Sequence, residues 1–158
     1  MPTVLVVDDH AFIRRGVRSI LEPFPEWELC GEAENGQEAI QKASELHPAI
    51  VVMDVSMPVL DGIAATQVIK RAHPDTHIVL LTLHNSRELL LRAFQAGARG
   101  YVLKADVDGE LLKALRVVVG DGSYISPRID ENSAKEVVRE ITSKFPPKGP
   151  QEKGRETA

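Results

Sequence analysis

The sequence predicts an α/β protein, a parallel β-sheet with helices on both faces. Three observations carry this. Apolar runs too short for helices, at 4–7, 50–53, 78–81 and 101–103, alternate with segments of helical periodicity. Chain-breaking residues, among them Pro23, Pro25, Pro48, Pro74, Gly97 and Gly120, fall at the junctions. The runs at 4–7 and 50–53 lack polar alternation, which marks strands covered on both faces.

In chain order, the first strand at 4–7 ends on Asp8 and Asp9. The next helix should turn Phe12, Ile13, Val17, Ile20 and Leu21 to the core and stop at Pro23 and Pro25. Residues 27–34 mix polar and apolar types, as an edge strand does. A second helix at 36–46 directs Ala39, Ile40, Ala43 and Leu46 inward and breaks before Pro48. The strand at 50–53 runs into Asp54. After Gly62, Ala65, Val68, Ile69 and Ala72 recur at helical spacing until His73 and Pro74. The fourth strand, 78–81, closes on Thr82. Ser86 caps a helix carrying Leu89, Leu90, Ala93 and Phe94, which stops at Gly97. Tyr101, Val102 and Leu103 form the fifth strand and end on Lys104. Asp106 or Asp108 is expected to cap a last helix with Leu111, Leu112, Leu115, Val118 and Val119, ending at Gly120.

A length of 158 residues with 43% hydrophobic content suits one domain and an appendage. The formal charge of -4 gives no global attraction to nucleic acid or anionic lipid. Cys30 is the single cysteine, so an internal disulfide is excluded and a reducing compartment is suited. The opening residues lack the pattern of a signal peptide, and no segment approaches the ~20 apolar residues of a membrane span. A cytoplasmic protein without membrane contact is expected.

Parallel strands joined by right-handed crossovers point their carboxyl ends the same way. Asp8, Asp9, Asp54, Thr82 and Lys104 therefore converge on one rim, the edge where open α/β sheets keep their ligands. Singly, each has an ordinary explanation: a cap, a turn, a solvated charge. Together they are chemically matched. Clustered carboxylates repel unless a cation joins them, and Mg²⁺ or Mn²⁺ accepts such oxygen ligands. Asp8, Asp9 and Asp54, with the backbone carbonyl of Ser56, are the candidate metal ligands. Thr82 and Lys104 suit the spread charge of a phosphoryl group, and Asp54 is the candidate nucleophile.

These residues resemble the receiver domain of two-component response regulators over residues 4–119. The likeness rests on Asp8 and Asp9, on the run Asp54-Val55-Ser56-Met57-Pro58-Val59-Leu60-Asp61-Gly62, and on Thr82 and Lys104 at their strand ends. Asp8-Asp9-His10 with Arg14-Arg15-Gly16, and Gly122-Ser123-Tyr124-Ile125-Ser126-Pro127, further resemble the LuxR-type (NarL-like) subfamily. The resemblance implies a flavodoxin-like (βα)5 sheet of order 2-1-3-4-5 and phosphotransfer from a sensor histidine kinase to Asp54. It also implies a switch in which Thr82 moves toward the phosphate and Tyr101 follows, and dimerisation through the receiver. Self-phosphorylation and autodephosphorylation would be the only catalytic activities. Where many receivers have a small residue after the threonine, this chain has Leu83, which is expected to slow both gain and loss of phosphate.

The expected division is a receiver at 1–121, a linker with an extra helix at 122–143, and a flexible tail at 144–158. Val137, Val138 and Ile141 mark the extra helix, with Asp130 as its cap. The residues after Gly122 are too few for the helix-turn-helix of LuxR-type relatives, so contact with DNA is expected only through an output domain absent here. A stand-alone receiver acting by protein contact is the alternative. A Mg²⁺-dependent aspartyl phosphohydrolase is disfavoured, because Ser56 stands where such enzymes place a second acid. A flavin or nucleotide carrier would leave Asp8, Asp9 and Lys104 without a task. Arg14, Arg15 and Arg18 are read as a solvated basic face.

Overall fold

The computed structural model describes residues 2–129 and 131–144. The elements run β1 Thr3–Val7, α1 Ala11–Leu21, β2 Glu28–Ala33, α2 Gly36–Leu46, β3 Ile50–Asp54, α3 Gly62–Ala72, β4 His77–Thr82, α4 Arg87–Ala96 and β5 Gly100–Leu103. A 3-10 turn at Lys104–Asp106 then leads into α5 Val107–Val119, β6 Tyr124–Ile125 and α6 Glu131–Lys144. The sheet has the order β2-β1-β3-β4-β5-β6, and all its pairings are parallel. The flavodoxin-like order is as expected. The added β6 is too short to be seen as a strand in the sequence.

Strand periodicity sorts the apolar side chains into two layers. Val4, Val6, Ile50, Val52, Val79 and Leu81 meet α1 and α5 through Val17, Leu21, Leu111, Leu115 and Val118. Leu5, Val7, Val51, Met53, Ile78, Leu80 and Tyr101 face the opposite layer, where Ala39, Ile69, Leu90 and Phe94 lie. Each fully buried Val, Leu or Ile contributes roughly 1.5–3 kcal/mol relative to exposure. Some expected core positions lie outside: Phe12 is 75% exposed, and Val68, Leu46, Val119 and Ala72 also face solvent. Phe12 sits in the first turn of α1, shortly after the end of β1.

Among the described residues, three helix starts are capped by side chains: Asn35 accepts from Glu38 N–H, Asp61 from Ala64 N–H and Ser86 from Leu89 N–H. Such caps contribute about 1 kcal/mol each. The expected side-chain cap on α5 is absent. The 3-10 turn supplies the carbonyl of Lys104 to Val107 N–H, and Asp106 pairs instead with Arg128 at 3.3 Å. Asp108 lies within the helix's first turn.

The segment expected as a linker packs on the domain. Ser126 N–H donates to the Tyr101 carbonyl, and Ser126 Oγ accepts from Leu103 N–H, both at 2.9 Å. The Asn85 amide donates to the Arg128 carbonyl at 2.9 Å, and Arg87 meets Glu136 at 2.8 Å. Val137 and Ile141 are buried in the layer that contains Leu90 and Phe94. The expected cap Asp130 and the expected tail beyond Lys144 lie outside the described residues.

Candidate phosphoryl-transfer and metal site

The strand ends bring three charged groups into contact. Lys104 Nζ lies 3.0 Å from Asp8 Oδ2 and 3.1 Å from Asp54 Oδ2, with all three side chains nearly or wholly buried. Parallel register makes this unavoidable: Val7 pairs with Met53, Asp54 with Leu81 and Thr82 with Leu103, so the residues at or just after these positions emerge side by side. Two local packings hold Asp54 there. Val55 N–H donates to the Leu81 carbonyl, and Gly62 N–H donates to the Val55 carbonyl at 2.8 Å. A Cβ on Gly62 would stand 2.2 Å from the Asp54 carbonyl oxygen, so only glycine permits α3 to start this close. Within the same loop Val59 has φ 70, a left-handed backbone that a β-branched residue rarely adopts.

Burial raises the Asp54 carboxyl above its ordinary pKa, and the nearby Asp8 adds to this, while Lys104 and the Ser56 N–H pull it down. Burial alone would lower the Lys104 ammonium. Its hydrogen bonds to Asp8 and Asp54 and their charges outweigh that and hold it above the ordinary lysine value. Ser56 N–H donates to Asp54 Oδ1 at 3.2 Å.

Asp8, Asp9, His10 and Asp54 each place a ligand atom within 4.8 Å of the others. Asp8 Oδ2 is buried and paired with the Lys104 ammonium at 3.0 Å. Carboxylate oxygens gathered this closely suit a hard dication bound through oxygen. Asp8, Asp9 and Asp54 fit Mg²⁺ or Mn²⁺ in this respect.

Thr82 ends β4 one residue beyond the register partner of Asp54. Its hydroxyl oxygen accepts from His84 N–H at 3.0 Å. Tyr101 is wholly buried, with its hydroxyl 3.4 Å from the His84 carbonyl. Leu83 is 75% exposed and lines a cleft with Asn85, Leu103, Ala105 and Arg128.

On the basic face of α1, Arg15 and Arg18 are exposed as expected, whereas the Arg14 side chain is largely covered; Arg14 and Arg18 both engage Glu32 of β2. His10 joins the acidic cluster through Nδ1, 3.2 Å from Asp8 Oδ1 and 3.3 Å from Asp9 Oδ1. Its place directly after the acidic pair is the sequence signal for it.

The profile described as "Response regulator receiver domain" matches residues 4–116. The chain belongs to this receiver family. It is 40% identical over 134 residues to the response regulator GacA of Pseudomonas viridiflava, covering 85% of this chain and 63% of that one. It therefore spans less than two thirds of that curated relative. A two-component response regulator of the LuxR family from Aurantimonas sp. SI85-9A1 superposes with a TM-score of 0.81 at 35% identity, covering 87% of this chain and 99% of that one. A structure of two RcsB dimers bound to two parallel DNAs gives a TM-score of 0.73 at 28% identity, covering 87% of this chain and 68% of that one. Receiver domains are signalling switches controlled by phosphorylation, partner histidine kinases and bind Mg²⁺ in an acidic pocket. They are not enzymes of the ordinary turnover kind. Among the described residues no helix of this receiver is long and apolar enough to cross a membrane.

Proposed function

We propose that this receiver accepts a phosphoryl group on Asp54 from the phosphohistidine of a sensor kinase, in a reaction that depends on Mg²⁺. The observation that carries the reading is the Lys104 ammonium held between Asp54 and Asp8 at 3.1 and 3.0 Å. When bound, the dication supplies neutralising charge to the phosphoryl oxygens. Asp8 and Asp9, with Asp54 and the Ser56 carbonyl, are its proposed ligands. An Asp54 carboxylate oxygen attacks phosphorus, the new O–P bond replaces the N–P bond of the donor, and the imidazole leaves with the electron pair and takes a proton. Lys104 exchanges part of its pairing with Asp54 for a phosphoryl oxygen. Thr82 turns its hydroxyl from His84 N–H to donate to another oxygen.

Thr82 and Tyr101 both touch the backbone of His84, so movement of Thr82 bears directly on the buried Tyr101. That is the proposed switch, a bias between two packings rather than a new structure. Residues 1–121 form the proposed phosphoacceptor unit, and 122–143 connect it to an output. Transcriptional control by a dimer through a DNA-binding domain is the output favoured by the RcsB likeness. Action in the cytoplasm follows from the kinase partner.

Incubation with acetyl phosphate and Mg²⁺, read by intact mass, tests the reading. One added phosphoryl group, absent in Asp54→Asn and in EDTA, is expected. Release of many phosphate equivalents from phosphoesters would point to a hydrolase and overturn it. In Leu83→Ala, faster gain and faster loss of the phosphoryl group are expected, and rates equal to those of the parent chain would remove Leu83 from the account.

A further inference from the structure

We infer that Arg14 is a positioning residue that fixes the peptide plane joining Asp8 to Asp9 and thereby sets the affinity of the acidic pair for its dication. This rests on the reading of those aspartates as metal ligands. Arg14 Nη1 donates to the Asp8 carbonyl oxygen at 2.7 Å. That oxygen belongs to the planar unit whose two ends carry the Asp8 and Asp9 side chains. One side chain is buried against Lys104, and the other is 29% exposed toward the rim. Rotation of this plane would change the separation of the two carboxylates.

The guanidinium is itself anchored. Arg14 Nε donates to Glu32 Oε1 at 2.8 Å, Arg18 holds the other Glu32 oxygen, and the Arg14 side chain is only 13% exposed. The groups flanking this plane are held as well: Asp8 N–H, in the preceding peptide unit, donates to the Ala33 carbonyl at 3.0 Å, and Asp8 Oδ1 accepts from His10 N–H at 2.8 Å. The acid on β2, the arginine on α1 and the carbonyl after β1 thus form one chain of contacts.

Charge and geometry pull metal affinity in opposite directions. A cation near the cluster would weaken metal binding, but Glu32, shared with Arg18, and Glu34 at 3.9 Å both offset the charge of this guanidinium. What remains is the fork, which reaches an acid and a carbonyl at once. Lysine, a single point charge, cannot span both. Supporting contacts of this sort typically change metal affinity about tenfold or more when removed.

The test is Mn²⁺ titration of the full chain by EPR, with Mg²⁺ in competition. Arg14→Gln and Arg14→Lys should each raise the apparent dissociation constant about tenfold. Phosphorylation by acetyl phosphate at saturating Mg²⁺ should return to the parent rate, separating metal affinity from the chemical step. Folded Arg14→Gln with parent affinity overturns the assignment. So does full affinity in Arg14→Lys, because charge would then suffice. Glu32→Gln keeps Arg14 but slackens its anchor, and should raise the constant by a smaller factor; parent affinity there overturns the assignment even if the Arg14 variants do not fold. If the parent chain binds no Mn²⁺, the metal reading fails before any variant is compared, and this inference fails with it.

Discussion

Lys104 and Asp54 face each other at 3.1 Å with their side chains 9% and 5% exposed, so neither charge is solvated independently of the other. Lys104→Met removes the cation and leaves Asp54 and Asp8 as uncompensated buried carboxylates. Loss of one partner from a buried pair costs about 3–5 kcal/mol. Urea unfolding in EDTA at neutral pH should show a loss of this order. A midpoint equal to that of the parent would mean that solvent, not Lys104, balances these acids.

Asp54→Asn should act in the opposite direction. The Asp54 pKa is raised in the folded state, so between the unfolded and folded values the native protein holds more protons than the unfolded chain. Stability therefore falls as pH rises through that window, and the ionised carboxylate burdens the fold at neutral pH. Without metal, the asparagine variant should melt higher than the parent at pH 7, with the gain vanishing below the ordinary aspartate range of about 4. Thermal scans across pH in EDTA decide it; a gain independent of pH would point to packing instead.

Much of this was legible in the sequence, for physical reasons. Strands covered on both faces must be continuously apolar, so Val4 to Val7 and Ile50 to Met53 identified themselves. Parallel topology then required Asp8, Asp54 and Lys104 to emerge at one edge. What local pattern does not encode was missed. Tyr124 and Ile125 pair with β5 because Arg99 and Tyr101 offer carbonyls to Tyr124 and Ser126, which no two-residue signal announces. Arg14 resembles a surface charge until β2 brings Glu32 beside it. Phe12 fits the apolar period of α1 but stands exposed in its first turn.

Addition of Mg²⁺ should stabilise the parent chain by mass action. At about ten times its dissociation constant a ligand specific to the folded state adds about 1.4 kcal/mol. A rise in melting temperature that saturates with Mg²⁺, is reversed by EDTA and is absent in Asp9→Asn is expected. An equal rise in Asp9→Asn would place the ion elsewhere.

Gly62→Ala should be poorly tolerated although alanine favours helices. The new methyl would meet the Asp54 carbonyl at 2.2 Å; it is fixed directly to Cα and its neighbour is backbone, so no rotamer relieves the contact. Overpacking of this kind costs about 1–3 kcal/mol, occasionally more. Denaturant unfolding measures the cost, and a neutral result would show that α3 can retreat from β3 freely.

Ser126 and Arg128 tie the chain after α5 both to β5 and to the loop bearing Asn85, while Val137 and Ile141 of α6 are buried in the α4 layer. Because α6 is tethered to the surface it covers, it meets α4 at an effective concentration of the millimolar order typical of short connections. A separate molecule seeking that face of α4 must therefore outcompete a resident helix, and its apparent affinity reports the difference between two docking equilibria.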